Sequence, residues 1–533
     1  MTKNSKRGAI VLTSILLIVV AIILALPLFL NGLLEKKLVQ EFNNQTQQDY
    51  NLSFSDIRIE ILSRSITVDS ISVSTDDTLK LKQEITATSI SISGIKWFSL
   101  LSNPFPKFGQ ITIDEPIVHI HKSDFFSKLL SDSTKADSSD PDSSKTINDL
   151  SIFDLIITNG HATILNDEGE SIISVENLSL EASEIDVNKL MNGADLLFLD
   201  ELTLGGSGFT WYVQKDFYNI SIENFIIDTK EKSLTLTNFE YHPLLPKYDF
   251  SIAKGYQLDR YDLKIPEIAV NGLDLESLSE RHLNIDQISV SDPWFEVFRN
   301  KQIPNREIKR IKPLLNEVAH SIDFSIGINQ IDISGGTIIY DEHNPPFETS
   351  GGISFNDIQA SLTDIRSAQH PDFESDTLKM HVETLFMDVA PLVVDLDYLV
   401  FRMDNLQNLS VKLDKIDPFV VREVLEKSGY LRVEEGMVDG LDATIQLRSE
   451  QSTGQLTLLY SGLKVSILNK DQPDRENFFQ RVGDFFVNTF VVKSDNSAED
   501  PYIAEINFER EKDKSVFAYW WKSVLDGILD TIK

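Results

Sequence analysis

The chain predicts a mainly β fold: an N-terminal transmembrane helix, then a long, curved, mostly antiparallel β-groove with internal duplication and short helices, closed by an amphipathic C-terminal helix. Three observations lead there. The first is the spacing of apolar residues in Tyr50–Val73, which fall at Leu52, Phe54, Ile57, Ile59 and again at Ile66, Val68, Ile71, Val73. Strict alternation marks one buried strand face. A step of two, then three, then two keeps one apolar face only if the strand carries a β-bulge or breaks at a tight bend, and either device curves the sheet. The second is recurrence. Ile220, Ile222, Phe225, Ile227, Leu234 and Leu236 repeat that spacing without a gap. Ile85, Ala87, Ile90, Ile92 are answered by Leu263, Ile265, Ile268, Val270, and Leu150, Ile152, Leu155, Ile157 by Ile326, Ile328, Ile331, Ile333. Ile173, Val175, Leu178, Leu180 are answered by Ile353, Phe355, Ile358, Ala360, all in the same order. Ordered self-similarity of this kind indicates a repeat architecture, which lets a chain of 533 residues grow in one direction instead of around one core. The third is the uncharged apolar run Ala9–Leu30.

As a helix that run reaches about 33 Å at about 1.5 Å per residue, enough for a hydrocarbon core of about 30 Å. It is longer than a cleavable signal's apolar region and lacks an Ala-x-Ala site, so a retained signal anchor is expected. Lys3, Lys6 and Arg7 precede it and Lys36 and Lys37 follow, which places the N-terminus on the cytoplasmic side and the body across the membrane. The expected organisation is 1–34 tail and anchor, 35–217 first β-groove module, 218–400 second module, and 401–533 a C-terminal β region with amphipathic helices.

Within the body, Glu35–Gln48 reads as a short polar helix or linker. Pro116 and Pro293 follow strands in matching places and are expected to mark the same corner in both modules, since proline removes a ladder donor. Ser131–Ser144 is acidic and without large apolar residues, so a disordered loop is expected. Asp417-Pro418 opens a helix as N-cap and first turn, and Gly429 closes it. Strands follow over Tyr430–Glu434, Met437–Arg448 and Gly454–Leu468. Arg475–Val487 has the spacing of an amphipathic helix. The tail Ser515–Ile532 sets Phe517, Trp520, Trp521, Val524, Ile528 and Ile532 on one side, as a cap on the sheet or as a membrane contact.

Composition excludes several functions. A net charge of −33 opposes nucleic-acid binding, which needs neutralising cations, and equally opposes electrostatic adhesion of the chain as a whole to anionic lipid. The chain has no cysteine, hence no disulfide or thiolate chemistry. No HExxH, Walker A, GxSxG or GxGxxG motif is present. His119 and His121 share a strand face, but zinc takes three or four ligands and the second copy carries Glu296 and Phe298 there. No residue reads as catalytic, no cofactor is implied, and the chain is not expected to be an enzyme.

The order of these parts resembles a known family. A single anchor leading into the strands at Leu52–Val73, then ATSISISGIKWFSLL and FGQITIDEPIVHIHK, resembles the N-terminal region of AsmA-like proteins (the AsmA/TamB/YhdP superfamily). SGYLRVEEGMVDGLDATIQL, TGQLTLLYSGLKVSIL and FAYWWKSVLDGILDTI resemble their C-terminal region. The resemblance implies an inner-membrane protein of a diderm bacterium with a periplasmic body that moves phospholipid or another acyl lipid in support of the outer membrane, with outer-membrane or envelope proteins as further partners. The groove residues it points to are the apolar positions named above, from Leu52 through Ile333. The alternative is a tethered envelope scaffold built of closed β modules, because trough and sandwich both need one apolar face per strand.

Overall fold

The computed structural model describes residues 18, 21, 34–45, 50–75, 84–96, 108–121, 151–166, 168–186, 201–275, 277–278, 281–306, 310–345, 347–429, 431–467 and 493–532. The protein is mainly β, with a large, mostly antiparallel sheet. Two compact units divide the chain, and they exchange between residues 215 and 238. The anchor expected at Ala9–Leu30 lies outside the described residues except for Ile18 and Ala21. Among the described residues no helix is long and apolar enough to cross a membrane. The loop expected at 131–144 and the helix expected at 475–487 also lie outside them.

The first unit opens with helix α1 (Leu34–Gln45) and carries β1 (Tyr50–Ser53), β2 (Asp56–Glu60), β3 (Ser65–Thr75), β4 (Glu84–Ser93), β5 (Phe108–Asp114) and β6 (Ile117–His121). Then come β7 (Ser151–Leu165), β8 (Ser171–Asp186), β9 (Leu202–Gln214), β10 (Tyr218–Asp228) and the start of β11 (Ser233–Pro243). β3, β4 and β5 form an antiparallel run, as do β7, β8 and β9. Between these runs, β5 and β6 both pair parallel with β7, one after the other along its length.

The second unit holds α2 (Lys247–Lys254), β12 (Asp259–Asn271), β13 (His282–Ser291), β14 (Trp294–Asn300), α3 (Leu315–Ser321) and β15 (Ser325–His343). It continues through β16 (Gly351–Arg366), β17 (Leu378–Phe386), β18 (Ala390–Tyr398), β19 (Gln407–Leu413) and α4 (Arg422–Gly429). It ends with β20 (Leu431–Leu447), β21 (Gln451–Ile467), β22 (Ala504–Glu509) and α5 (Val516–Thr531). Here β13 and β14 both pair parallel with β15, as β5 and β6 do with β7. From β15 to β22 each strand is antiparallel to the next.

The two proline corners have the same construction. β5 gives way to β6 at Glu115-Pro116, where Glu115 has φ 48° and its N–H donates to Thr158 O at 2.9 Å. His161 N donates to Pro116 O at 2.7 Å. β13 gives way to β14 at Asp292-Pro293, where Asp292 has φ 49°, its N–H donates to Ser334 O at 2.7 Å, and Thr337 N donates to Pro293 O at 2.8 Å. A glycine faces each ring, Gly160 and Gly336, and a Cβ on either would press on the proline Cγ at 3.2 and 3.3 Å.

The two-three-two spacing has a backbone cause. Ser70 sits in β3 with φ 51°, Asn159 in β7 with φ 52°, Asn177 in β8 with φ 47°, Gly335 in β15 with φ 70° and Asp357 in β16 with φ 49°. A single left-handed residue reverses the alternation, so the side chains on either side of it return to one face. In β3–β4 the pairing passes this point without a shift, Val68 opposite Ile90 and Ile71 opposite Ala87. The expected inserted residue is therefore absent there, and β3 turns at Ser70 with its pairing to β4 unbroken. β7–β8 and β15–β16 do shift register, at Gly160 and Gly336. β1 and β2 use the other expected device, a bend at Ser55, whose N–H donates to Asp69 O at 2.9 Å.

The helix expected from Asp417 begins as a 3-10 turn, Pro418–Val421, with the Asp417 carboxylate accepting from Phe419 N, and continues as α4. The break expected between Glu434 and Met437 is a kink inside the single strand β20, at Gly436 with φ 121°. A Cβ there would press on the Leu463 backbone at 2.6 Å, so only glycine fits.

Candidate functional site

In the first unit the apolar face is a closed core over β3 to β7 and the adjoining ends of β8 and β9, while its continuation on β8, β10 and β11 is half-buried. Ile66, Val68, Ile71 and Val73 of β3 stand opposite Ile92, Ile90, Ala87 and Ile85 of β4, and all eight are buried. Ile111, Ile113 and Val118 continue the face, then Leu155 and Ile157 of β7, Leu180 and Ala182 of β8, and Leu202 of β9. Leu38 and Phe42 of α1 lie in this cluster, as do Ile18 and Ala21. Leu52 is buried with them, and Phe54, Ile57 and Ile59 pack against the cluster half-buried. Of the remaining expected groove residues, Leu150 and the side chain of Ile152 lie outside the described residues. Ile220, Ile222, Phe225, Ile227, Leu234 and Leu236 are half-buried.

In the second unit the same spacing recurs on a face that is not closed. Residues opposite each other in a ladder share a face, so the strip can be followed strand by strand. On β12 it comprises Leu263, Ile268 and Val270, which stand opposite Phe295, Val290 and Ile288. Ile288 and Val290 lie beside Ile331 and Ile333 of β15, and Phe295 beside Ile338. β16 continues it through Leu362, Ala360, Ile358, Phe355 and Ile353, and β17 through Met380, Val382 and Phe386. Val270 and Ile358 are buried, but most of the strip is half-buried, and Ile338 is 38% exposed. Ile265 is buried, whereas Ile326 and Ile328 are half-buried. Aromatic rings line the middle, with Tyr261 stacked on Phe295 at 5.9 Å and Phe355 tilted against Phe386 at 5.6 Å.

The strip ends in a polar bank. Arg299 pairs with Asp259 at 2.9 Å and Lys301 with Glu342 at 2.5 Å, the latter pair almost wholly buried. Burial alone would raise the Glu342 pKa, but the Lys301 ammonium and donors from Asn344 and Tyr340 hold it below the usual carboxylate range. Burial pushes the Tyr261 phenol up to about 12 and Tyr340 well above its ordinary value. Both stay neutral hydrogen-bonding groups at the apolar boundary.

Two helices pack on this sheet: α4 lies over the Gly351 end of β16, where an added Cβ would meet Val424 Cα and Glu423 O at 3.2 Å, and α2 packs on the other side. Lys247 of α2 reaches Glu296 at 2.6 Å, and Tyr248 meets Phe298 and His343 edge-on at 5.3 Å. Glu296 and Phe298 alternate with Phe295 and Val297, so α2 covers the face opposite the apolar strip. Arg260 and Asp262, both buried, lie on that covered face opposite Phe298 and Glu296. α2 is seated by its buried Phe250, edge-on to Phe217 at 5.4 Å and Tyr218 at 5.1 Å, and by Lys247 on Glu296.

At the C-terminal end the apolar face closes again. α5, capped by the Ser515 hydroxyl accepting from Ala518 N, buries Tyr519, Val524, Leu525 and Leu529 against Leu456, Leu458, Ile506 and Phe508. Of the expected cap or membrane residues, Val524 is buried, Trp520, Trp521 and Ile528 pack half-buried against this core, and Phe517 is exposed. Trp520 Nε1 donates to Gln407 Oε1 at 2.7 Å.

Sequence reasoning missed Phe295, Ile338, Tyr340 and Phe386, together with the polar bank. Ile288, Val290, Pro293, Phe295, Val297 carries the two-three-two spacing, and a proline at its centre hid it. Among the described residues no group of His, Cys, Asp and Glu could hold a metal ion. No family model matches the chain, and no curated protein does.

Proposed function

We propose that this is an AsmA-like lipid-binding protein of the diderm envelope, which holds acyl chains against the apolar strip of its second unit and passes them between membranes in support of the outer membrane. The uncovered strip on β12–β17 carries the reading. Six adjacent strands present aliphatic and aromatic side chains at a common face, and α2 packs on the reverse side. Each acyl methylene removed from water is worth about 0.8 kcal/mol, so a chain lying along several strands is held firmly. The polar bank at Arg299, Lys301 and Glu342 supplies donors and charge where a headgroup would leave the apolar zone. In this reading Ala9–Leu30 anchors the protein in the inner membrane with the body periplasmic. Ile18 and Ala21 would then exchange their seat in the first unit's core for lipid.

The sealed core of the first unit favours the second reading, a tethered scaffold of closed modules. Mass spectrometry of lipids carried by the purified protein separates the two. Ile333→Asp and Phe355→Asp are expected to lower bound acyl lipid several-fold, while Asn329→Asp, at an exposed polar position of β15, leaves it unchanged. Equal lipid content in all three folded variants, or none in the parent protein, leaves the scaffold.

A further inference from the structure

Three loops of the second unit meet beside the N-terminus of α5. Lys312 N donates to Lys512 O at 2.8 Å, and Arg510 Nη2 donates to Lys312 O at 2.7 Å. Asn316 Nδ2 donates to Arg402 O at 3.3 Å and Asn316 N to Tyr398 Oη at 3.3 Å. Arg510 Nη1 donates to Ser449 O at 3.3 Å, and Ser449 N donates to Asp404 O at 2.9 Å. These bonds tie 310–316, 402–405 and 510–517 into one platform. Each segment holds large apolar surface out in water: Ile311 is 73% exposed with Leu315 at 38% close by, Met403 82%, and Phe517, in the first turn of α5, 52%.

The platform's charge runs against that of the chain. Its carboxylates are engaged: Asp404 by Arg402 and Arg448, Glu450 by Lys512, Glu511 by Lys522, Asp513 by Lys514, while Glu317 accepts from Leu314 N at 2.7 Å. Arg310 and Lys312, which flank Ile311, make no ion pair among the described residues. A protein of net charge −33 thus concentrates uncompensated cations around three exposed apolar tips.

We infer that this platform is a membrane-contact surface that takes an anionic bilayer, with Ile311, Met403 and Phe517 entering the interface and Arg310 and Lys312 lying among the headgroup phosphates. Apolar side chains standing apart on separate segments suit a fluid surface, which closes around each of them. A protein interface buries a contiguous, close-packed patch, which these separated tips do not form. Apolar insertion and attraction of Lys and Arg to anionic lipid act together at such sites. The surface stands whether or not the strip on β12–β17 holds lipid.

The absence of cysteine makes the test direct. Met403→Cys in the full chain, held in nanodiscs of neutral phosphatidylcholine, is labelled with an environment-sensitive dye and titrated with vesicles containing phosphatidylglycerol. A blue shift is expected with these vesicles, none with phosphatidylcholine vesicles, and none from the same dye at Glu383→Cys, an exposed mid-strand position of β17. Arg310→Glu with Lys312→Glu, two surface changes, should weaken vesicle affinity at least tenfold without altering the far-ultraviolet circular dichroism. No shift with the anionic vesicles, an equal shift at Glu383→Cys, or unchanged affinity in the charge reversal overturns the assignment. A shift produced by polyglutamate and not by vesicles also overturns it and gives the surface to an acidic protein.

Discussion

β3–β9 and β12–β17 carry the same apolar spacing, the same proline corner and the same parallel pairing of two short strands on one long one. They differ in what lies on the face. In the first, Leu38 and Phe42 of α1 join the buried cluster built on β3, β4 and β5, in which Ile92 is 0% exposed. Over the second, α4 covers the Gly351 end of β16 and α2 packs on the opposite face, at Glu296 and the Phe298 ring, while Ile338 and Phe295 keep contact with water. The lesson is that an apolar strand face does not announce whether it is a core or a binding surface. What packs across the face decides it.

The largest test of this contrast is a matched pair. Ile92→Asp places a carboxylate in a dry core with no cation beside it, and should lose more than about 4 kcal/mol or prevent folding. Ile333→Asp, on the half-open strip, should lose only about 1–2 kcal/mol in urea unfolding, since its carboxylate reaches water. Similar losses for both would mean that the second face is closed in solution too.

A middle-sized effect concerns the polar bank. Lys301→Met leaves the Glu342 carboxylate buried without its ammonium and should lose about 3–5 kcal/mol at pH 7. In the parent protein the Glu342 pKa is depressed, so its contribution is fully present above the unfolded value of about 4.3 and fades as pH falls through the folded value. In the variant burial dominates and the folded pKa rises above the unfolded one. Its deficit relative to the parent should therefore shrink between pH 7 and pH 4, as read from urea midpoints. A pH-independent deficit would mean that the pair is not held dry.

The smallest effects test the crease itself. Ser70→Gly removes the penalty of a side chain at φ 51° and should stabilise by about 0.5–1 kcal/mol. Gly335→Ala should destabilise by about 1–2 kcal/mol, since the backbone is left-handed and the new Cβ would collide with the Asp292 carboxylate. Thermal midpoints moving in opposite directions confirm that both units bend on a left-handed residue; a loss from both variants would show that Ser70 is held by something more than backbone geometry.

Much of this was legible one residue at a time. The apolar triads and quartets from Ile66 to Ile358 marked the strand faces because side-chain alternation is local, and Pro116 and Pro293 marked the corners because a missing N–H is local. Asp417 as N-cap and Ser515–Ile532 as a helix followed from capping and spacing. The break at Glu434–Met437 was misplaced because a kink at glycine and a strand end look alike in sequence. The parallel pairing of β13 and β14 with β15 and the bank of Arg299, Lys301 and Glu342 were not legible. They join residues more than forty positions apart, and local spacing carries no information about such pairings.

The sequence by itself determined that this chain is strand-rich, duplicated and creased, because each of those properties rests on the period of its apolar residues and on backbone preferences. Only the tertiary structure decided which of two equivalent faces is sealed. That choice depends on which segments pack across each face, and those contacts join residues distant in the chain, as in the cluster of Leu38 with Ile66 and the approach of Val424 to Gly351.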